Sequence, residues 1–172
     1  MMERLADFFT MSLFLQIVYA FMGTVGYAIL FNVPKRFYLS CGFTGAAGWF
    51  VYRVAEVHTS AAVASFFGTL VVVLISRMLT VRLKCPITIF LVAGILPMVP
   101  GAGVYYTAYY LVTNQLSEAV VRGMGAVKVA FAIVLGIVCI VSIPREFFQL
   151  RYWRQRFRLN HLRRLRLKKN KT

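Results

Sequence analysis

The sequence predicts an all-α integral membrane protein with about five transmembrane helices, the fourth of them broken at mid-membrane. Three observations carry this expectation. Of 172 residues, 60% are apolar and 15% charged, where a soluble domain of this size carries about 25% charged residues. The charges cluster, leaving five apolar segments near the length that crosses roughly 30 Å of hydrocarbon. One of those segments carries Pro97-Met98-Val99-Pro100-Gly101-Ala102-Gly103 in its middle, and two prolines with two glycines destroy an α-helix.

The first segment covers about 11–31. No basic run precedes it as in a secretory leader, and it is long enough to span, so it is expected to be retained. The second, 37–54, holds Gly42, Gly45, Ala46 and Gly48, and the third, 59–79, holds Ala61, Ala64, Ser65 and Gly68. Small residues at such spacings let helix backbones approach closely, so packing within one subunit is expected of them. The fourth segment is 86–112 and the fifth 118–143. Short turns with Pro34, His58, Pro86 and Asn114 separate the segments and fit antiparallel packing. The membrane domain is therefore expected over 1–144, followed by a tail over 145–172.

The net charge of +15 belongs mainly to that tail, which holds eleven of the twenty basic residues. Lys35 and Arg36 mark the first loop, and Arg82 and Lys84 the third. With five spans, both loops and the tail fall on one side, which the positive-inside rule makes cytoplasmic. The expected orientation is N-terminus out and C-terminus in. It also makes the fourth segment a single crossing by two half-helices, because a re-entrant hairpin would strand the basic tail outside.

The break is the leading candidate site. In lipid each backbone N–H and C=O needs a partner, so broken helices lie in protein or line a cavity. The second half-helix offers free N–H groups and a positive dipole end that suit a carboxylate. Pro97, Pro100, Gly101 and Gly103 build this feature. Tyr105 stands one turn further on, while Tyr106, Tyr109 and Tyr110 read chiefly as an interfacial aromatic belt. Lys128 lies inside the fifth span, where an ammonium is costly and marks function. It has three readings: a partner for an anionic substrate, a partner for a carboxylate on another protein, or a snorkelling residue. Arg53 and Arg77 are expected to snorkel from their span ends. Glu56 and Glu118 read as loop or boundary residues.

In the tail, Arg151, Trp153, Arg154, Arg156 and Arg158 interleave aromatic and basic groups. The tail begins directly after a span, so anionic lipid headgroups are its nearest anions, and lipid rather than nucleic acid is the expected partner. Cys41, Cys85 and Cys139 are scattered and odd in number, with no pairing pattern for a disulfide framework or zinc. Neither a metal nor a cofactor is expected. An enzyme acting on lipids would need neighbouring acids, histidines or a nucleophile, which the sequence does not group. A non-transporting scaffold subunit with a lipid-binding tail is the alternative to transport.

The run from Cys85-Pro86-Ile87-Thr88 through Gly94-Ile95-Leu96-Pro97-Met98-Val99-Pro100-Gly101-Ala102-Gly103-Val104-Tyr105 resembles the threonine/serine exporter family, and within it the small-subunit type. The likeness covers most of 11–143 and rests on the Pro-x-Val-Pro-Gly-x-Gly core and the tyrosine that follows. Met98 stands where leucine is more usual, and the long basic tail departs from the small-subunit pattern. The resemblance implies a multi-pass secondary transporter of the cytoplasmic membrane that exports small carboxylate-bearing metabolites. Full-length relatives imply threonine and serine as cargo. Split relatives imply dicarboxylates such as succinate and a larger membrane subunit that supplies the first half, in a hetero- or homo-oligomer.

Overall fold

The computed structural model describes residues 2–143, with side chains from residue 12. The chain divides after Val141 into two units, and every described helix belongs to the first. The tail residues Arg151, Trp153, Arg154, Arg156 and Arg158 lie outside the described residues. Among the described residues six α-helices form: α1 Met2–Leu30, α2 Tyr38–Glu56, α3 Ala61–Leu83, α4 Thr88–Ile95, α5 Gly101–Val112 and α6 Leu116–Val141. Short 3-10 turns at Lys35–Phe37 and Leu96–Met98 precede α2 and α5. No strand occurs among the described residues, and the chain is an all-α membrane protein.

Local chemistry explains where the helices stop. After α1, Asn32 takes a positive φ of 53°, a conformation asparagine tolerates better than most residues. The Val33 amide then donates to the Ala28 carbonyl and the Asn32 amide to Ile29, each at 3.0 Å, which satisfies carbonyls that a helix end leaves open. The same arrangement closes α5: Asn114 has φ 62°, Gln115 donates to Tyr110 and Asn114 to Leu111. The third helix runs to Leu83, beyond its expected end at 79, and stops at Lys84 in the left-handed region. Nothing in a lysine announces that stop.

By length and apolarity α1, α3 and α6 each suffice to cross a membrane, and α4 with α5 make a fourth candidate as a bent pair. The second helix, expected as a span, falls short of that apolarity among the described residues. Its Ser40, Thr44, Gly42, Gly45 and Gly48 lower it, and Thr44 and the three glycines instead pack against neighbouring helices.

The packing order is α1 on α2, α2 on α3, α3 on α6 and α6 on α5, with α4 set against α1, α2 and α3. A repeated device joins these layers, in which a threonine of one helix sits over a glycine of the next. Thr24 covers Gly45, Thr44 covers Gly94, Thr69 covers Gly136 and Thr107 covers Gly123. Three of these hydroxyls donate to the carbonyl four residues earlier, Thr24 to Ala20, Thr44 to Ser40 and Thr107 to Gly103, each at 2.7 Å. The hydroxyl is thereby satisfied within its own helix.

Two buried clusters result. One gathers Ala28, Val33, Phe37, Cys41, Phe90 and Ala93, with Cys85 packed against it. Because Phe37 follows Arg36 and Cys85 follows Lys84, the two basic loops lie at the same end of the bundle. The second cluster joins Val72, Met98 and Ile133, flanked by Trp49, Tyr52, Ile95 and Val129. It holds the chain at the break.

Candidate functional site

The break is built from three successive departures from the α-helix. Pro97 stands in the 3-10 turn Leu96–Met98, where the missing proline N–H is no loss. Val99 is extended, with ψ 131°, as expected of a residue before proline. Pro100 then adopts φ −76° and ψ 56°, and the Gly101 amide donates back to the Val99 carbonyl at 2.7 Å. That is an inverse γ-turn. The two half-helices meet at 53°.

The geometry leaves polar backbone open. The first α-helical bond of α5 runs from the Val104 amide to the Pro100 carbonyl at 3.0 Å. Among the described residues the amides of Ala102 and Gly103 find no backbone acceptor, and no side chain caps α5. Gly101 and Ala102 are exposed, and a Cβ placed on Gly101 would meet nothing within 4 Å. These amides end a helix dipole at an uncovered surface, an arrangement that accepts an anion.

One side of the break is fixed and the other open. Met98 is 4% exposed and anchors the end of α4 in the central cluster. By contrast, α5 has no buried residue and packs along α6. A Cβ on Gly103 would stand 3.2 Å from Ala126 Cβ, and one on Gly123 would stand 3.1 Å from Thr107 Cγ2. These two contacts fix the antiparallel register of α5 against α6.

The expected site residues fall into two groups. Pro97, Pro100, Gly101 and Gly103 form the break itself, and Tyr105 lies one turn along α5 from Gly101, 64% exposed. Its ring meets Tyr106 edge-on at 5.4 Å, and Tyr106 and Tyr109 both contact Tyr110, so the four tyrosines are linked ring to ring. Lys128 does not join them. The register sets it level with Gly101, but at 3.6 residues per turn it projects about 160° away from Ala126, the residue that faces α5.

Two features depart from the expectations of the sequence, and a third residue gains a partner. Met98, a minor replacement by its sequence, is the anchor of the break. Arg77 is buried rather than snorkelling, and its Nη1 donates to the Ile140 carbonyl near the end of α6. Glu56 is a boundary residue: it ends α2, accepts a hydrogen bond from the Tyr52 hydroxyl at 2.9 Å and pairs with Arg53. The spacings of four and three residues in this last group are legible in the sequence.

Comparison with known proteins agrees with this architecture. The family described as the threonine/serine exporter, ThrE, matches over residues 16–143, which reaches every described helix from α1 to α6. An uncharacterized protein of Haemophilus influenzae is 29% identical over 146 residues, covering 81% of this chain and 49% of the relative. The chain thus spans about half the length of that curated relative. No solved structure matches. The bent half-helices, the Pro/Gly break and the match across the membrane domain place this chain in the threonine/serine exporter family.

Proposed function

We propose that the chain is a subunit of a secondary transporter that exports small carboxylate-bearing metabolites across the cytoplasmic membrane. The cargo is a dicarboxylate such as succinate, or threonine and serine. In this reading the chain crosses the membrane five times, N-terminus out and C-terminus in, and a larger partner supplies the first membrane half. The tail, 145–172, rests on anionic headgroups.

The observation that carries the reading is the pair of unbonded amides at Ala102 and Gly103, placed at the start of a half-helix beside open space. Hydrocarbon cannot satisfy such groups. A carboxylate can, with the helix dipole adding to each hydrogen bond. Discontinuous helices whose ends meet cargo near the midplane are a recurring transporter plan, commonly between inverted repeats. A chain half as long as its relative fits one such repeat.

The test is efflux of labelled succinate, threonine and serine from cells lacking their own exporters. Each is measured with this chain alone, with a first-half protein of the family alone, and with both. Efflux that needs both chains supports the proposal, and the moving substrate names the cargo. A complex that assembles and moves none of the three favours a scaffold subunit.

A further inference from the structure

We infer that the face of α6 carrying Gly125 and Lys128 is the docking surface for the partner's first membrane half, which sets a carboxylate side chain against the Lys128 ammonium. The inference rests on the reading that the chain works with such a partner, and it names the surface and the chemistry that meets it.

Lys128 lies deep. It stands twelve residues after Leu116 and thirteen before Val141, the midpoint of α6. At 1.5 Å per residue it is about 18 Å from either helix end. A hydrocarbon core of roughly 30 Å puts its nearest surface about 15 Å away. Four methylenes and an ammonium reach less than half of that, so snorkelling does not bring this charge to water. The contacts with α5 give the same depth independently, because Gly103 on Ala126 and Thr107 on Gly123 set Lys128 level with the break.

It also points away from its own bundle. The buried residues of α6, Ala119, Ala126, Ile133 and Gly136, face α5 and α3. Lys128 lies on the far side and is exposed, together with Val121, Met124 and Phe131. Among the described residues nothing covers that face, and a bare ammonium at mid-membrane does not stand in lipid.

The surface is shaped for a helix. Gly125 lies one turn from Lys128 on the same side, and a Cβ there would meet nothing within 4 Å. A glycine inside a helix is destabilising relative to alanine, and here no contact among the described residues requires it. It opens a notch in an otherwise apolar face, where a second helix can come close enough to bring a short acidic side chain to the ammonium. Charge complementarity selects a carboxylate, and the relative that runs on for about the matched length again is the kind of chain that holds it.

The experiment coexpresses the chain with a first-half protein of the family and places the photo-cross-linker p-benzoylphenylalanine at position 131, where the exposed ring of Phe131 already stands on the Lys128 face and the Gly125 notch is left open. The expected adduct is with the first-half protein, at a residue within about one helical turn of an aspartate or glutamate. Lys128→Met should lower the recovered complex at least tenfold, while Lys128→Arg should keep it within about twofold. Since Lys128 projects away from α5 and α3, each variant should remain monodisperse in detergent when expressed alone. Adducts with lipid only, adducts with a second copy of this chain, or an undiminished Lys128→Met complex would each overturn the inference. Efflux measured on the same cells separates it from the transport proposal. Cross-linking without efflux of any cargo leaves the interface standing and sinks the transport reading, and efflux with lipid adducts alone does the reverse.

Discussion

A Cβ added to Gly68 would stand 2.6 Å from Met98 Sδ and 3.0 Å from the Gly48 carbonyl oxygen. Met98 therefore occupies the space that Gly68 leaves empty. Gly48 faces the same thioether from the other helix, its own Cβ position lying 3.2 Å from Met98 Cε. The crossing of α2 and α3 is thus a socket, and the side chain that fills it comes from the 3-10 turn that opens the break. The unbranched, flexible methionine suits so irregular a space.

Closing the socket should disturb the break without touching it directly. Gly68→Ala is expected to destabilise by about 1–3 kcal/mol, as overpacked cores do, because the carbonyl of Gly48 cannot step aside. Met98→Ala should cost about 2–5 kcal/mol through the cavity it leaves. Thermal unfolding in detergent measures both. A Gly68→Ala protein as stable as the parent would show that Met98 is not held there.

The threonine-over-glycine contacts make a second expectation. On Gly45 a Cβ would collide with Thr24 Oγ1, the tightest approach among them, so Gly45→Ala should be more damaging than Gly123→Ala, whose nearest neighbour is 3.1 Å away. Adding Thr24→Ala to the Gly45→Ala chain should restore part of the loss. A double-mutant cycle reads this coupling directly, and strict additivity would mean that the two residues do not share the contact.

The three cysteines report on orientation. Cys41 is buried, Cys139 is exposed on α6, and Cys85 is partly exposed in the loop after α3. An impermeant maleimide should therefore label Cys85 in inside-out vesicles and leave it untouched in right-side-out ones. Burial pushes the Cys85 thiol above its ordinary value, opposed in part by the Arg36 guanidinium. The thiolate is the reactive form, so the labelling rate should keep rising with pH after an ordinary thiol has levelled off. Labelling from the outside would contradict the proposed orientation.

Most of the helices are legible in the sequence because membrane segments announce themselves through length and apolarity, and because asparagine and proline punctuate their ends. The break is legible for the same reason: Pro97, Pro100 and Gly101 act on their own backbone. Relations across the bundle are not. Met98 meets Gly68 only once α2, α3 and α4 have packed. Arg77 reads as interfacial because nothing local says that the end of α6 will lie beside it. The sequence puts Lys128 inside a long apolar helix, but the side of α6 it faces is decided by which residues α5 and α3 cover. The second helix shows the opposite problem, since its glycines and hydroxyls serve packing and so weaken the apolar signal of a span.

The most direct measurement is efflux through the assembled pair carrying Gly101→Trp. A Cβ at position 101 meets nothing within 4 Å and Gly101 is exposed, so the substitution starts from open space and puts an indole beside the free amides of Ala102 and Gly103. Assembly should be unchanged while efflux of the cargo falls at least tenfold. Undiminished efflux from a complex of normal yield would show that cargo does not pass the break, and would contradict its role as the site.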